Sequence, residues 1–208
     1  MAARRRGHAL WLIRAGDTAW SIDGRLQGSA DLPLATGARE ELEAQFAILP
    51  PDRVATVHHP TDEAATETGK LAARAFRARA AAVEELGDPN LGLLEGLAIA
   101  TFAERYPTRH RQWESDPLTL APPEGEPIAD ARARVLHALV RLIARSRGAE
   151  LAVVLHPLAL GLVRCVLAGA PTSAAWEMLD KRDRIERYIL PADAGVRLAA
   201  AADVAVES

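Results

Sequence analysis

The sequence predicts an α/β domain in which a mostly parallel sheet is covered by helices on both faces. Short apolar runs alternate with longer segments of helical spacing, and turn residues separate the two kinds of segment. The apolar runs are typical of strands buried on both sides. A chain of 208 residues has the size of one large domain. We therefore expect a single domain over residues 1–208, with flexible tails at 1–7 and at about 200–208.

Each element follows from a local pattern. Strands are predicted at 8–14, 53–58, 151–155 and 187–190, and helices at 36–47, 61–80, 97–106, 128–147 and 158–167. Pro60 precedes the second helix, where proline is tolerated, and Pro107 ends the third. Apolar residues recur at helical spacing through 128–147, and Gly148 ends that helix. The Ala-rich stretch 199–202 is typical of a frayed terminus or of a terminal strand with a tail.

Composition excludes several classes of function. Lys and Arg total 25 against 28 Asp and Glu, so the net charge of −3 gives no general reason to bind nucleic acid. The single cysteine, Cys165, excludes an internal disulfide framework and a cysteine-rich metal site. No apolar run approaches the roughly 18–20 residues of a membrane helix, and the stretch after the Arg-rich start is too short for a signal sequence. We expect a cytoplasmic protein without nucleic-acid or membrane partners.

The ends of three predicted strands indicate where a site would form. In open parallel sheets, ligands bind at the carboxyl edge of the strands. The residues that follow these strands are at 14–16, 58–60 and 155–157, and they include Arg14, His58, His59 and His156. The sequence therefore places candidate polar side chains at one edge of the sheet.

Several motifs resemble the histidine phosphatase superfamily, which has the phosphoglycerate mutase-like fold. Residues 12–20 read Leu-Ile-Arg-Ala-Gly-Asp-Thr-Ala-Trp, and residues 24–28 read Gly-Arg-Leu-Gln-Gly. Residues 86–96 resemble the family's acidic motif, and residues 153–156 resemble its second histidine strand. The matches span roughly residues 8–170, in the family's order. The resemblance implies a three-layer αβα sandwich.

The resemblance also implies a reaction. The family transfers a phosphoryl group to a histidine, while arginines and a second histidine hold the developing charge and a carboxylic acid protonates the leaving oxygen. This chain retains the family's residues at five such motif positions, namely Arg14, Gln27, Gly28, Glu95 and His156.

Other motif positions depart from the family. The nucleophile position is Ala15, which has no lone pair, so the phosphohistidine route is closed there. The pocket asparagine is Ser21, the second phosphate-binding arginine is Glu63, and the acidic residue is the shorter Asp88. Glycine after the second histidine has become Pro157. So many departures together favour natural loss of function over one engineered change.

These observations predict a degenerate member, a pseudoenzyme that acts by binding an anionic small molecule or a protein partner. No catalytic residue is assigned; Arg14, Asp88 and His156 are the pocket remnant, and no metal or cofactor is expected. The predicted ligand-binding residues are Arg14, Ser21, Gln27, Gly28, Glu63 and His156. We expect Glu63 to pair with Arg14 and to occupy the position where the family binds phosphate. That placement would oppose a phosphate dianion, because unit charges about 4 Å apart interact by roughly 4 kcal/mol at an effective dielectric constant of 20.

Two other functions remain open at this point. One is a phosphomonoesterase or mutase-like enzyme that uses water or His59 in place of the missing histidine, with Asp88 as general acid or base. The other is a purely structural subunit, such as a homodimer. The turn sequence around Asp88 favours an ordinary turn for that residue, Glu95 is expected to hold a loop, and Cys165 is expected in the core. A metal site built from His58, His59 and His156 has no supporting spacing.

Overall fold

The computed structural model describes residues 9–147, 149–180 and 184–204. Within these ranges, five strands form one sheet in the order β3-β2-β4-β1-β5. The strands are β1 Ala9–Arg14, β2 Val54–His59, β3 Arg79–Ala82, β4 Glu150–Leu155 and β5 Ile185–Ile189. The first four are mutually parallel, whereas β5 pairs antiparallel with β1 at the edge. The predicted mostly parallel sheet is confirmed.

Helices flank the sheet, and five of them correspond to predicted ones. They are α1 Ala19–Ile22, α2 Ala38–Phe46, α3 Glu63–Phe76, α4 Ile99–Arg105, α5 Pro107–Ser115, α6 Ile128–Ser146, α7 Pro157–Ala168, α8 Ala175–Asp180 and α9 Ala194–Asp203. The predicted helices correspond to α2, α3, α4, α6 and α7. Pro107 ends α4 as expected, but it also opens α5, because proline lacks the N–H that a first helical turn leaves unbonded.

Side chains of the central strands alternate between the two faces of the sheet, so the hydrophobic core has two layers. On β1, Leu10 and Leu12 pack in a cluster with residues of α6, α7 and α9. Trp11 and Ile13, which point the other way, pack with residues of α2 and α3. Successive side chains of a strand point to opposite faces, so an apolar run such as β1 requires helices on both sides. The three-layer αβα sandwich is confirmed.

The predicted helix 61–80 is too long. α3 ends at Phe76, and Arg77 takes a left-handed conformation with φ of 56°, which terminates the helix. The chain then forms β3, which pairs with β2. The segment Arg-Ala-Ala-Ala contains no β-branched or aromatic residue, so propensity gives no strand signal there, and only pairing with β2 defines the strand.

The predicted tail at about 200–208 is wrong for residues 200–203. These residues belong to α9, in which Leu198 and Ala202 are buried against the cluster that includes α6. The buried Arg132 of α6 also donates to the backbone oxygen of Ala201 at 3.0 Å. Residues 1–8, 148, 181–183 and 205–208 lie outside the described residues.

We predict that Gly161→Ala destabilises the fold by about 1–3 kcal/mol. A Cβ at Gly161 on α7 would lie 2.6 Å from the carbonyl oxygen of Ala175 on α8, so one helix would have to move. The matched control is Gly195→Ala in α9, where an added Cβ meets nothing within 4 Å and helix propensity improves. Urea unfolding of the two variants measures the difference. Equal stabilities would contradict the close approach of α7 and α8.

Candidate active site

Two cavities open at the carboxyl edge of the sheet, where β1, β2 and β4 end. The first, the acidic cavity, has a volume of about 330 Å³ and is lined by residues that include Asp62, Glu84, Glu85, Asp88, Glu126, Arg134 and His156. The second, the tryptophan cavity, has a volume of about 200 Å³ and is lined by residues that include Arg14, Ala15, Gln27, Ile99, Trp113, Leu158 and Trp176. Gly28, Asp88 and His156 line both cavities. The structure therefore brings the predicted strand ends together.

His156 joins the ends of β2 and β4 through a hydrogen-bonded pair. It precedes α7 and is 4% exposed, and its Nε2 lies 3.0 Å from Oδ2 of Asp62. Burial by itself would lower the pKa of His156, but the hydrogen bond to Asp62 and the charges of Asp88 and Asp62 outweigh it, so the pKa is raised. Burial opposes ionisation of Asp62 too, yet the hydrogen bond and charge of His156 and the N–H of Ala65 leave its pKa lowered. The pair is therefore stabilised in its charged form.

Asp88 lies where the two cavities meet, and the prediction of an ordinary turn at this residue is wrong. Its Oδ1 accepts the backbone N–H of Ala159 in the first turn of α7, at 3.1 Å. Burial raises the pKa of Asp88 to about 6, although the charge of His156 and the Ala159 hydrogen bond act in the opposite direction. A carboxyl group with such a pKa exchanges protons near neutral pH.

Arg134 on α6 fixes the segment that carries Asp88. It donates to the backbone oxygens of Glu85 at 3.0 Å and Gly87 at 3.1 Å. Glu126 holds the guanidinium in turn, with contacts of 2.9 Å to Nε and 2.6 Å to Nη2. Sequence reasoning missed both residues. The one indication in the sequence is that Arg134 lies on the polar face of an amphipathic helix.

The turn after β1 is held from outside the cavity by Arg184. This residue donates to the carbonyl oxygen of Ala15 and to Asp17, each at 2.7 Å. Asp17 also lies 3.5 Å from Nη2 of Arg14. Ala15 itself is 2% exposed, and its N–H donates to the carbonyl oxygen of Leu155 on β4. Arg14 is therefore presented to the tryptophan cavity by a rigid turn.

The predicted pair between Glu63 and Arg14 is wrong. Glu63 is the exposed first residue of α3, and it lines a separate depression with residues that include Arg39, Glu67 and Lys70. A residue at the start of this helix points outward, whereas the preceding residue, Asp62, caps the helix and faces His156. A carboxylate does reach the pocket, but it comes from Asp62, one position earlier than the sequence pattern indicated.

Three other predicted ligand residues lie at the tryptophan cavity, and two have structural partners. Gln27 accepts a hydrogen bond from Oγ1 of Thr18 at 2.7 Å. Ser21 closes a capping box with Thr18 at the start of α1. Gly28 has φ of 61°, and a Cβ there would lie 2.4 Å from Oε1 of Glu95, so only glycine fits.

The remaining predictions concern residues around the site. Oε1 of Glu95 accepts the backbone N–H groups of Ser29 and Leu91, at 2.8 and 3.0 Å, so the predicted loop-holding role is confirmed. The burial of Cys165 in the core is confirmed as well. His59 is 4% exposed and its ring packs on Gly69 of α3, so its predicted availability as a replacement nucleophile is wrong.

Metal ligation and membrane insertion were searched in the described ranges alone. Among these residues, no three His, Cys, Asp or Glu side chains are grouped in a way that could hold a metal ion. None of the helices described for this chain has the length and apolar character needed to cross a bilayer.

Comparison with known proteins identifies the family to which the chain belongs. The family model described as "Histidine phosphatase superfamily (branch 1)" matches residues 10–187. The bifunctional protein Rv2228c of Mycobacterium tuberculosis (strain ATCC 25618 / H37Rv) is 32% identical over 155 residues, covering 74% of this chain and 42% of that protein. This chain thus spans about two fifths of that relative. The probable phosphoglycerate mutase GpmB of Shigella boydii serotype 18 is 29% identical over 167 residues, which are 80% of this chain and 77% of that protein.

Solved structures are similar in fold. YhfR of Bacillus stearothermophilus matches with a TM-score of 0.74 and 25% identity, over 81% of this chain and 84% of that one. The mycobacterial glucosyl-3-phosphoglycerate phosphatase Rv2419c, in complex with VO3, matches with a TM-score of 0.70 and 21% identity, over 82% and 86% of the two chains. At that identity, the second match is evidence of the fold alone. This chain belongs to the histidine phosphatase superfamily.

We predict that Asp88→Asn changes the pH dependence of stability. The pKa of Asp88 is raised in the folded protein above its ordinary value near 4, so its favourable contribution is present at low pH and is lost as the pH rises through about 6. Asparagine cannot ionise and can still accept the N–H of Ala159. Relative to wild type, the variant should gain up to about 3 kcal/mol between pH 4 and pH 7, at 1.36 kcal/mol per pKa unit. Urea unfolding at several pH values measures this gain, and parallel curves for the two proteins would contradict it.

Proposed function

We propose that this chain is a pseudophosphatase: it binds a small anionic ligand in the histidine phosphatase fold without forming a phosphohistidine. The observation that carries the proposal is Ala15. This residue lines the tryptophan cavity between Arg14 and Gly16, at the carboxyl end of β1, and its methyl group offers no lone pair to a phosphorus atom.

The neighbouring histidine does not replace the missing nucleophile. His156 lines both cavities, but its Nε2 is 3.0 Å from Asp62, and the pair favours the protonated imidazolium. An imidazolium has no lone pair, so it cannot accept a phosphoryl group. Loss of the nucleophile of a covalent mechanism commonly costs on the order of 10⁶-fold in rate.

The pocket keeps groups that favour an anion of modest charge. Arg14 supplies a guanidinium, and Gln27 supplies a side-chain amide at the same cavity. Asp62 acts in the opposite sense, because its carboxylate already neutralises the imidazolium that would otherwise attract the ligand. Arg14 is paired too, with Asp17, but that contact is longer, at 3.5 Å, and the Arg14 side chain is 33% exposed, whereas His156 is buried against Asp62. We infer that the ligand is held chiefly from the Arg14 side.

A protein partner, including a second copy of this chain, is a further part of the proposal. A pseudoenzyme can act through such a partner whether or not a ligand occupies its pocket. Size-exclusion chromatography with light scattering would determine whether the chain is a monomer or a dimer.

We predict that restoring a histidine recovers turnover only when the carboxylate beside His156 is removed. Ala15→His combined with Asp62→Asn should release phosphate from an aryl phosphate at least about a hundredfold faster than the wild-type chain. Asparagine at 62 retains a side-chain oxygen for the N-cap of α3. The comparison variants are Ala15→His alone and Ala15→His with Glu63→Arg, which should release phosphate at similar, lower rates because Glu63 faces another depression.

Wild-type turnover would contradict the proposal. Genuine turnover, as opposed to a contaminating phosphatase, would be phosphate release that remains after purification and is lost in Arg14→Gln. The binding half of the proposal is tested by calorimetry with inorganic phosphate, where Arg14→Gln should weaken binding more than about tenfold, since a charged hydrogen bond contributes about 1.5–3 kcal/mol.

A second candidate function is a phosphomonoesterase in which water attacks phosphorus directly. The pKa of about 6 at Asp88 favours this candidate, because a carboxyl group with that pKa can protonate a leaving oxygen near neutral pH. In this scheme Arg14 and the His156 imidazolium stabilise the charge that develops in the transition state.

The second candidate makes its own prediction. Wild-type phosphate release should fall about 10²–10⁴-fold in Asp88→Asn, which removes the proton donor, and the wild-type rate should decline above about pH 6 as Asp88 loses its proton. His59→Ala serves as the matched control, and because His59 packs on Gly69 we expect it to leave any activity unchanged in the folded fraction. Equal rates for Asp88→Asn and wild type would exclude Asp88 as the acid.

A further inference from the structure

The tryptophan cavity has a polar end and an apolar end, and these two ends indicate the chemistry of the ligand that it binds. We propose that it binds a ligand with one anionic group attached to an apolar body of about the size of one ring. The inference rests on the proposed function, which supplies the anionic group, and adds the chemistry of the rest of the ligand.

The polar end is formed by Arg14 and Gln27. Oε1 of Gln27 is held by Thr18, which fixes the amide plane. Nε2 of Gln27 is buried and makes no hydrogen bond to any residue that the structure describes. A buried amide N–H without an acceptor is costly, by about 1–3 kcal/mol. Gln27 lines the cavity, and a small shift of its side chain would bring this N–H to an oxygen of a phosphate, phosphonate or carboxylate group beside Arg14.

The apolar end is formed by two indole rings. The rings of Trp113 and Trp176 have centroids 4.7 Å apart and are tilted by 44°. Nε1 of Trp176 donates to the carbonyl oxygen of Trp113 at 2.7 Å, so the polar edge of that ring is already satisfied inside the protein. Ile99 is 40% exposed and Leu158 is 3% exposed, and both line the same cavity. The surface offered to a ligand at this end is therefore mostly carbon.

The size of the cavity sets the size of the apolar body. The tryptophan cavity holds about 200 Å³. An apolar cavity of about 150 Å³ is large enough for benzene. One ring together with a small anionic group therefore fits.

The acidic cavity opposes a second anionic group. Five carboxyl groups, those of Asp62, Glu84, Glu85, Asp88 and Glu126, line it beside the shared residue His156. Three of these carboxylates are paired, Glu126 with Arg134, Asp62 with His156 and Glu85 with Arg141, so Glu84 and Asp88 leave the cavity with a net negative charge. A ligand with two anionic groups would direct one of them toward these carboxylates, which repel it. The site therefore favours one anionic group over two.

The experiment compares three phosphonates, which cannot be hydrolysed, by isothermal titration calorimetry at neutral pH. Phenylphosphonate carries the apolar ring, methylphosphonate is its matched control without the ring, and phosphonoacetate carries a second anionic group. We expect the wild-type chain to bind phenylphosphonate about tenfold or more tightly than methylphosphonate, and to bind phosphonoacetate most weakly. Similar affinities for the phenyl and methyl compounds would overturn the inference.

Variants separate this inference from the proposed function. Trp113→Ala and Ile99→Asp should reduce the phenyl-to-methyl affinity ratio to about threefold or less, and Ile99 is exposed enough that its replacement should not impair folding. Arg14→Gln should weaken the binding of both phenylphosphonate and methylphosphonate and leave the phenyl-to-methyl affinity ratio unchanged. Trp11→Phe, at a core position that does not line the tryptophan cavity, should change neither affinity. If the wild-type chain binds none of the three, the proposed function fails; if it binds methylphosphonate and phenylphosphonate equally, only this inference fails.

Discussion

The buried pair between Asp62 and His156 is the interaction on which the chemistry of the site depends. It joins the end of β2 to the end of β4, two neighbouring strands, and it forms at 3.0 Å with both residues largely removed from solvent. A buried ion pair is favourable only when both partners stay together, so this contact keeps the imidazolium charged. The same contact occupies Nε2 of His156, so a ligand at this edge meets a histidine that is paired with Asp62.

The surrounding structure holds this pair and its neighbour Asp88 in fixed positions. Arg134 binds the backbone on the N-terminal side of Asp88, while the N–H of Ala159 holds its carboxylate. Arg184 holds the turn after β1 in the same manner. Preorganised polar groups of this kind are typical of catalytic sites and of specific binding sites alike. Such groups agree with a site used for binding, as we propose.

Membership of the histidine phosphatase superfamily limits the possible functions without selecting one. One relative is named as a probable phosphoglycerate mutase, and a chain of similar fold is named as a phosphatase, so the fold alone does not identify the ligand. The division of the tryptophan cavity into a guanidinium–amide end and an indole end is a property of this chain. We regard that division, together with the carboxylates of the acidic cavity, as the basis of ligand choice.

The sequence by itself determined the parallel sheet, five of the helices, the family and the location of Arg14, Ala15 and His156 at one edge of the sheet, because apolar periodicity and short motifs are local signals. Local signals did not locate β3, whose Arg-Ala-Ala-Ala segment becomes a strand only by pairing with β2. Nor did they decide between Asp62 and Glu63, since adjacent residues at a helix start point in different directions and only the packing of α3 determines which faces His156. Residues distant in sequence also create the surroundings of Asp88, the contacts made by Arg134 and Arg184, and the apolar end formed by the two indole rings. Tertiary structure alone brings such residues together, because the polar edge of a parallel sheet is assembled from separate strands.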